Sequence, residues 1–194
     1  MAWIQTIDAQ DAQGELADLY QRVGNPDGTV DNVMRIHALN PPSLRAHFDL
    51  YVTSMHRPSP LSRADRELVG TLVSALNGCD YCRRHHAAGL RRLLPEERKS
   101  LADAFETDER HAADASMTER ERALCNYATR LTLDPASVTQ NDVSALKLAG
   151  LDDRAILDVA CVVGYFCYVN RIVLGLGVNL ESFPLGQHPS ESEE

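Results

Sequence analysis

Between residues 62 and 76 the chain carries an apolar stripe of Leu68, Leu72, Val73 and Leu76, with Ala64, Glu67, Thr71 and Ser74 on another face. Apolar positions three and four apart define an amphipathic helix. That period recurs along nearly the whole chain. It predicts helices near 12–23, 30–39, 42–55, 62–76, 79–93, 96–105, 118–132, 139–148 and 153–176. Ser62 with Asp65, Thr118 with Glu121 and Thr139 with Asp142 have capping-box spacing, and Pro95 begins a helix over "EERKSLADAF". Turns are marked by "NPDG" (25–28), "NPP" (40–42), "NG" (77–78) and "LDP" (133–135). No stretch alternates with period two between turn signals, so no strand is predicted. The expectation is an all-α chain: one domain over 1–181, with an N-terminal arm (1–29) and a core (30–181), then a charged, disordered tail (182–194). The polar stretch "ETDERHAADASM" (106–117) is expected to be a flexible loop with His111 solvated.

The segment 153–176 is apolar on most faces, which places it in a core or a subunit interface. Gly164, Gly175 and Gly177 would admit a neighbouring helix closely, and Tyr165, Phe166 and Tyr168 are expected in core or interface. A domain of 194 residues has limited room to surround such a helix, so a homo-oligomer is expected. Its longest apolar run, "VACVVGYFCYV", has eleven residues, against the ~20 a membrane span needs.

A formal net charge of -9 argues against nucleic acid and against anionic membranes as partners. The cluster Arg83, Arg84, Arg91 and Arg92 is expected to be a solvated helix face. The start "MAWIQTIDAQDAQGEL" lacks a basic region followed by an apolar core, so no secretory signal is read and a cytoplasmic location is expected. Five cysteines, an odd number, do not suggest a disulfide framework. Cys125, Cys161 and Cys167 fall in apolar helical settings and are expected to be buried. His37, His47 and His56 are expected in surface or satisfied core roles.

The chemistry concentrates in "ELVGTLVSALNGCDYCRRHHAAG" (67–89). Gly78 suits the left-handed residue that follows a helix, so Cys79 falls at the next helix start. Unpaired N–H groups and the positive dipole end there stabilise a thiolate. At ~100° per residue, Cys79, Cys82 and His86 share a sector of about 60°, extended by Leu90 and Leu93. In a hairpin about Asn77-Gly78, Glu67 comes level with His86, where a carboxylate would fix the imidazole's tautomer and raise its basicity. By pattern alone Glu67 is off the apolar stripe and reads as solvated. A c-type haem would need His at position 83, which is Arg, and a thioredoxin-like motif would need strands. Zinc held by Cys79, Cys82 and His86 or His85, with a distant ligand such as Cys125, stays open. So does an inert buried pair.

The spacing Glu67, eleven residues, Cys79, two residues, Cys82, three residues, His86 resembles the active-site signature of the alkylhydroperoxidase D-like (AhpD-like) branch of the carboxymuconolactone decarboxylase family. "NPPSLRAHFDLYVTSMH" and "YFCYVNRIVLGLGVNLE" resemble its peroxidase-related members. The resemblance implies an all-α fold with a central hairpin carrying the CxxC, assembly into trimers or hexamers, and thiol-dependent hydroperoxide reduction. It implies that Cys82 is the peroxidatic thiol. Cys79 supplies a proton and then resolves a sulfenic acid into a Cys79–Cys82 disulfide, and Glu67 and His86 form a relay. No metal or flavin is implied, only a hydroperoxide substrate and an external dithiol reductant or adaptor protein. One position departs: where members carry a second His just before the second Cys, this chain has Tyr81. Weaker peroxidase activity or a different oxidant is expected. The alternatives are a redox sensor using the same pair without turnover, and a zinc-stabilised structural domain.

Overall fold

The computed structural model describes residues 2–107 and 116–186. Among these residues all regular structure is helical: α1 (Glu15–Val23), α2 (Asn32–Arg35), α3 (Pro41–Met55), α4 (Arg63–Leu76), α5 (Asp80–Leu93), α6 (Lys99–Glu106), α7 (Glu119–Leu133), α8 (Gln140–Leu148) and α9 (Asp153–Leu176). Short 3-10 turns occupy Ala9–Asp11, Glu96–Arg98 and Pro135–Ser137. Reciprocal capping boxes form at Ser62/Asp65, Thr118/Glu121 and Thr139/Asp142, so these three helices start where their chemistry marks them.

Three boundaries differ from the sequence expectation. Helix α1 starts at Glu15 rather than 12, because Gly14 takes φ +55° at its N-cap. The helix expected over 30–39 is a single turn; beyond it the bonds His37 N–H to Met34 and Ala38 N–H to Arg35 are three-residue ones. The segment expected as one helix over 96–105 begins instead as a 3-10 turn. The expected loop at 106–117, with His111, falls mainly on 108–115, outside the described residues. The expected tail divides: 187–194 lie outside them, whereas 182–186 lie along α5, with Arg92 donating to the Leu185 carbonyl at 3.1 Å.

Helix α4 is the centre of the domain, packed against α3, α5, α6, α7 and α9. Every residue from Asp65 to Ser74 is buried. Helix α9 crosses it closely at Gly70, where a Cβ would stand 2.3 Å from the Phe166 ring. Of the glycines expected to admit a neighbour, Gly164 and Gly175 have nothing nearby. One side of α9, including Val159, Val162, Phe166 and Val169, is core, as expected for Phe166 and Tyr165. The other side leaves Leu157, Cys161, Gly164, Arg171 and Leu174 exposed. The burial expected for Cys161 and Cys167 is therefore corrected: Cys161 is exposed and Cys167 half-buried, while Cys125 is buried. Apolarity all round a helix did not reveal which side the domain covers. With 24 residues α9 is long and apolar enough to cross a membrane by length and composition; in this fold its covered side packs on α3, α4 and α7.

Candidate active site

Asn77 and Gly78 (φ +70°) turn α4 back into α5, and the Cys79 N–H closes the turn on the Ser74 carbonyl at 2.8 Å. Cys79 is the N-cap of α5 and Cys82 lies in its first turn; both are free, buried thiols. They are in hydrogen-bonding reach of each other. The Cys82 thiol lowers the pKa of Cys79, against the cost of burial, and the Cys82 N–H and the Asn170 amide add to this. Burial pushes the Cys82 thiol well up, and donation to Cys79 holds its proton in place. The pair is one coupled acid whose first negative charge rests toward Cys79. Asn170 is fully buried; its amide donates to Ser74 Oγ at 3.2 Å, and its Oδ1 accepts from Asn77 at 2.9 Å.

One turn on, His86 Nδ1 meets Glu67 Oε2 at 2.7 Å. Glu67 is fully buried, which corrects the expectation of a solvated side chain. The amphipathic rule fails for α4 because it is surrounded: its polar flank faces α5 rather than water. Thr71 and Ser74 on that flank satisfy their hydroxyls on the Glu67 and Gly70 carbonyls at 2.7 and 2.8 Å. Room for the carboxylate comes from Gly89, where a Cβ would stand 3.0 Å from Glu67 Oε2. Arg63 Nη2 lies 4.0 Å from the other carboxylate oxygen, and the Phe166 ring meets the His86 ring edge-on at 4.6 Å. Leu93, expected to extend the inward stripe, is 44% exposed at the end of α5.

A cavity of ≈ 40 Å³ opens beside Cys82, room for two or three water molecules or a small polar head group. Its lining includes Cys82, His85 and His86, the rings of Tyr51 and Tyr165, and Val169, Asp31, Val33 and Met34. Cys79 does not line it.

Sequence reasoning missed a second carboxylate cluster, which holds two residues of the cavity lining, Tyr81 and His85. Glu181, with its side chain 1% exposed, accepts from Tyr81 Oη at 2.5 Å and from the Asn32 N–H at 2.7 Å, and pairs with His85 Nε2 at 2.7 Å. Burial opposes its charge, but these bonds outweigh it and lower its pKa. Burial and the neighbouring Glu181 charge raise Tyr81 well above the ordinary phenol, so it remains a hydroxyl. The Tyr81 and His85 rings stack at 4.4 Å. Glu181 follows the last helix and has no spacing motif to announce it; the only available signal was the adjacent pair His85-His86. The arginine cluster is tied to carboxylates and backbone: Arg83 and Arg84 to Asp80, Arg91 to Asp103 and Glu106, and Arg92 to Leu185. Among the described residues no group of three or more His, Cys, Asp or Glu side chains is placed to hold a metal ion.

A sequence model of the carboxymuconolactone decarboxylase family matches residues 41–130, a span that takes in Glu67, Cys79, Cys82 and His86. A peroxidase-related protein from Silicibacter sp. TM1040 is 30% identical, with 80% of this chain and 78% of that one covered at a TM-score of 0.73. A peroxidase-related protein with an alkylhydroperoxidase AhpD core, from Ralstonia eutropha JMP134, is 25% identical, covering 97% and 98% at a TM-score of 0.83. The debrominase Bmp8 shares the fold at 17% identity, with 91% of each chain covered at a TM-score of 0.74. No curated protein matches the chain. An all-helical domain with a thiol pair at the head of one helix is the class these features define. The chain belongs to the carboxymuconolactone decarboxylase family, among its AhpD-like, peroxidase-related members.

Proposed function

We propose that the protein is a thiol peroxidase that reduces hydroperoxides through Cys79 and Cys82. One observation carries this reading: Cys82 faces a small cavity beside an imidazole that a fully buried carboxylate holds at 2.7 Å. His86, oriented by Glu67, takes one proton from the pair and leaves a thiolate with a single proton shared between the sulfurs. Passage of that proton to Cys79 bares Cys82. The Cys82 thiolate attacks the terminal peroxide oxygen and the O–O bond breaks. The electron pair leaves on the alkoxy oxygen, which takes up a proton to become an alcohol, and Cys82 becomes a sulfenic acid. Cys79 then attacks the sulfenic sulfur, and hydroxide departs with the Cys79 proton as water. A Cys79–Cys82 disulfide results, and an external dithiol returns it to the reduced pair.

Tyr81 does not serve as a second base here, since its hydroxyl is committed to Glu181 and its pKa is raised. The relay is His86 with Glu67 alone.

The test is a thiol map. Reduced protein takes one equivalent of cumene hydroperoxide, then alkylation, digestion and mass spectrometry. Rapid loss of two thiols as a Cys79–Cys82 disulfide, with Cys125, Cys161 and Cys167 still free, is the expected result. An unreacted pair after minutes would exclude the peroxidase reading. A pair that oxidises once but is not turned over by a dithiol would favour the redox sensor.

A further inference from the structure

A file of polar groups separate from the Glu67–His86 couple leads away from the cavity. Tyr165 lines the cavity together with Cys82. Behind it, Tyr165 Oη lies 3.2 Å from His47 Nε2, His47 Nδ1 lies 2.8 Å from His37 Nε2, and His37 Nδ1 lies 2.8 Å from Ser43 Oγ. His47 is 1% and His37 7% exposed, while Ser43, at the start of α3, is half-buried and meets solvent. All four ring nitrogens are engaged, and the file runs unbroken from the protein surface to the cavity.

We propose that Ser43, His37, His47 and Tyr165 form a proton wire that supplies the proton required by the departing alkoxide, with Tyr165 as the catalytic residue that touches it. The inference rests on the peroxidase reading above, which leaves the source of that proton open. Only one polarity lets Tyr165 donate into the cavity and satisfies every nitrogen. Tyr165 oxygen then accepts from His47 Nε2–H, His47 Nδ1 accepts from His37 Nε2–H, and His37 Nδ1 accepts from the Ser43 hydroxyl. This needs one proton on each ring. Burial supplies that condition: it lowers the pKa of His37, and that of His47 to about 3, with His37 as a further cause. Burial likewise keeps the Tyr165 phenol protonated until a strong base forms beside it.

When the O–O bond breaks, Tyr165 gives its proton to the alkoxide. Each proton along the file then moves one place inward, and Ser43 takes one from solvent. The charge balances, because His86 has removed one proton from the thiol pair toward solvent. A return hop, when an incoming reductant thiol loses its proton in the cavity, resets the tautomers.

The wire predicts a dependence on the leaving group that a merely structural chain would not show. Tert-butyl hydroperoxide releases a strongly basic alkoxide that must be protonated. An aromatic peracid releases a carboxylate that needs no proton. Single-turnover oxidation of the reduced pair would be followed with both oxidants in wild type, Tyr165→Phe and His47→Gln. Tyr165→Phe keeps the ring, and the glutamine amide can still hydrogen-bond but cannot pass a proton on. Both variants should slow oxidation by tert-butyl hydroperoxide by about 10²-fold more than they slow oxidation by the peracid, the scale of one general acid. Equal slowing with both oxidants, or no slowing with tert-butyl hydroperoxide, overturns the wire. A wild-type pair inert to both overturns the peroxidase reading and the wire with it. Should His47→Gln fail to fold, Tyr165→Phe decides alone.

Discussion

Substituting Gly89→Ala tests the Glu67–His86 couple without touching either residue. In an exposed helix the change would stabilise by about 1 kcal/mol. Here the new Cβ would stand 3.0, 3.1 and 3.3 Å from Glu67 Oε2, Cδ and Oε1, where ordinary contact begins at 3.4 Å. The carboxylate must retreat by about 0.4 Å, that is, to 3.4 Å from 3.0 Å. It is fully buried and already held at 2.7 Å by His86, so the retreat disturbs the short charge-assisted bond that orients the imidazole. Crowding of this size in a packed site costs about 1–3 kcal/mol, which the gain in helix propensity partly offsets. The net loss in stability should therefore be at most about 2 kcal/mol, lowering the melting temperature by no more than about 4–8 °C. Peroxide turnover should fall about tenfold, a partial loss of the 10²–10⁴ that a positioned base contributes. Calorimetry and steady-state reduction of cumene hydroperoxide with a dithiol would be measured on the same preparation. A variant that melts normally and turns over at the wild-type rate would refute the claim that the geometry of this couple drives the reaction.

Two further outcomes separate the thiols and test the buried histidines. Cys82→Ser should consume no peroxide, whereas Cys79→Ser should react once and leave a sulfenic acid that dimedone traps; trapping in Cys82→Ser instead would exchange the two roles. His47, with its pKa lowered to about 3, resists protonation in the fold, while the unfolded chain takes up that proton near 6.5. The folded state thus binds fewer protons as pH falls below 6.5, and stability declines with acid. By pH 5.5 this one residue should have removed about 1.4 kcal/mol, with His37 adding in the same direction. Urea unfolding at pH 7.5 and 5.5 measures it, and equal stability at the two values would contradict the burial argument.

Much of this arrangement is legible in sequence because local rules carry it. Hydroxyl and carboxylate pairs three apart set three helix starts, and Gly78 takes the left-handed turn that brings Cys79 to the head of α5. Periodicity places Cys79 and Cys82 inward because α5 has one wet face. The same rule misplaces Glu67, because α4 is enclosed on all sides and periodicity cannot see how many neighbours a helix has. It misplaces Cys161 for the converse reason, an apolar helix lying at an edge. The Glu181 cluster and the Tyr165–His47 link join residues about 100 or more positions apart. Nothing local encodes such meetings; they follow from how α3, α5 and α9 pack.

The hold of Glu181 on two residues of the cavity lining, Tyr81 and His85, has a consequence for how the chain is made. Glu181 anchors Asn32, Tyr81 and His85 from a point 99 residues beyond Cys82. At about 5–20 residues per second, synthesis reaches it roughly 5–20 s after the second thiol has been added. Over that interval the α4–α5 unit can form before Glu181, and before α9 with Tyr165, Val169 and Asn170, are all in place. The nascent chain therefore carries a thiol pair with no shelter and no selectivity, open to any oxidant that reaches it. If the proposed thiol chemistry holds, a newly made molecule that meets oxidant early would enter service as the disulfide, and its first event would be a reduction rather than a turnover.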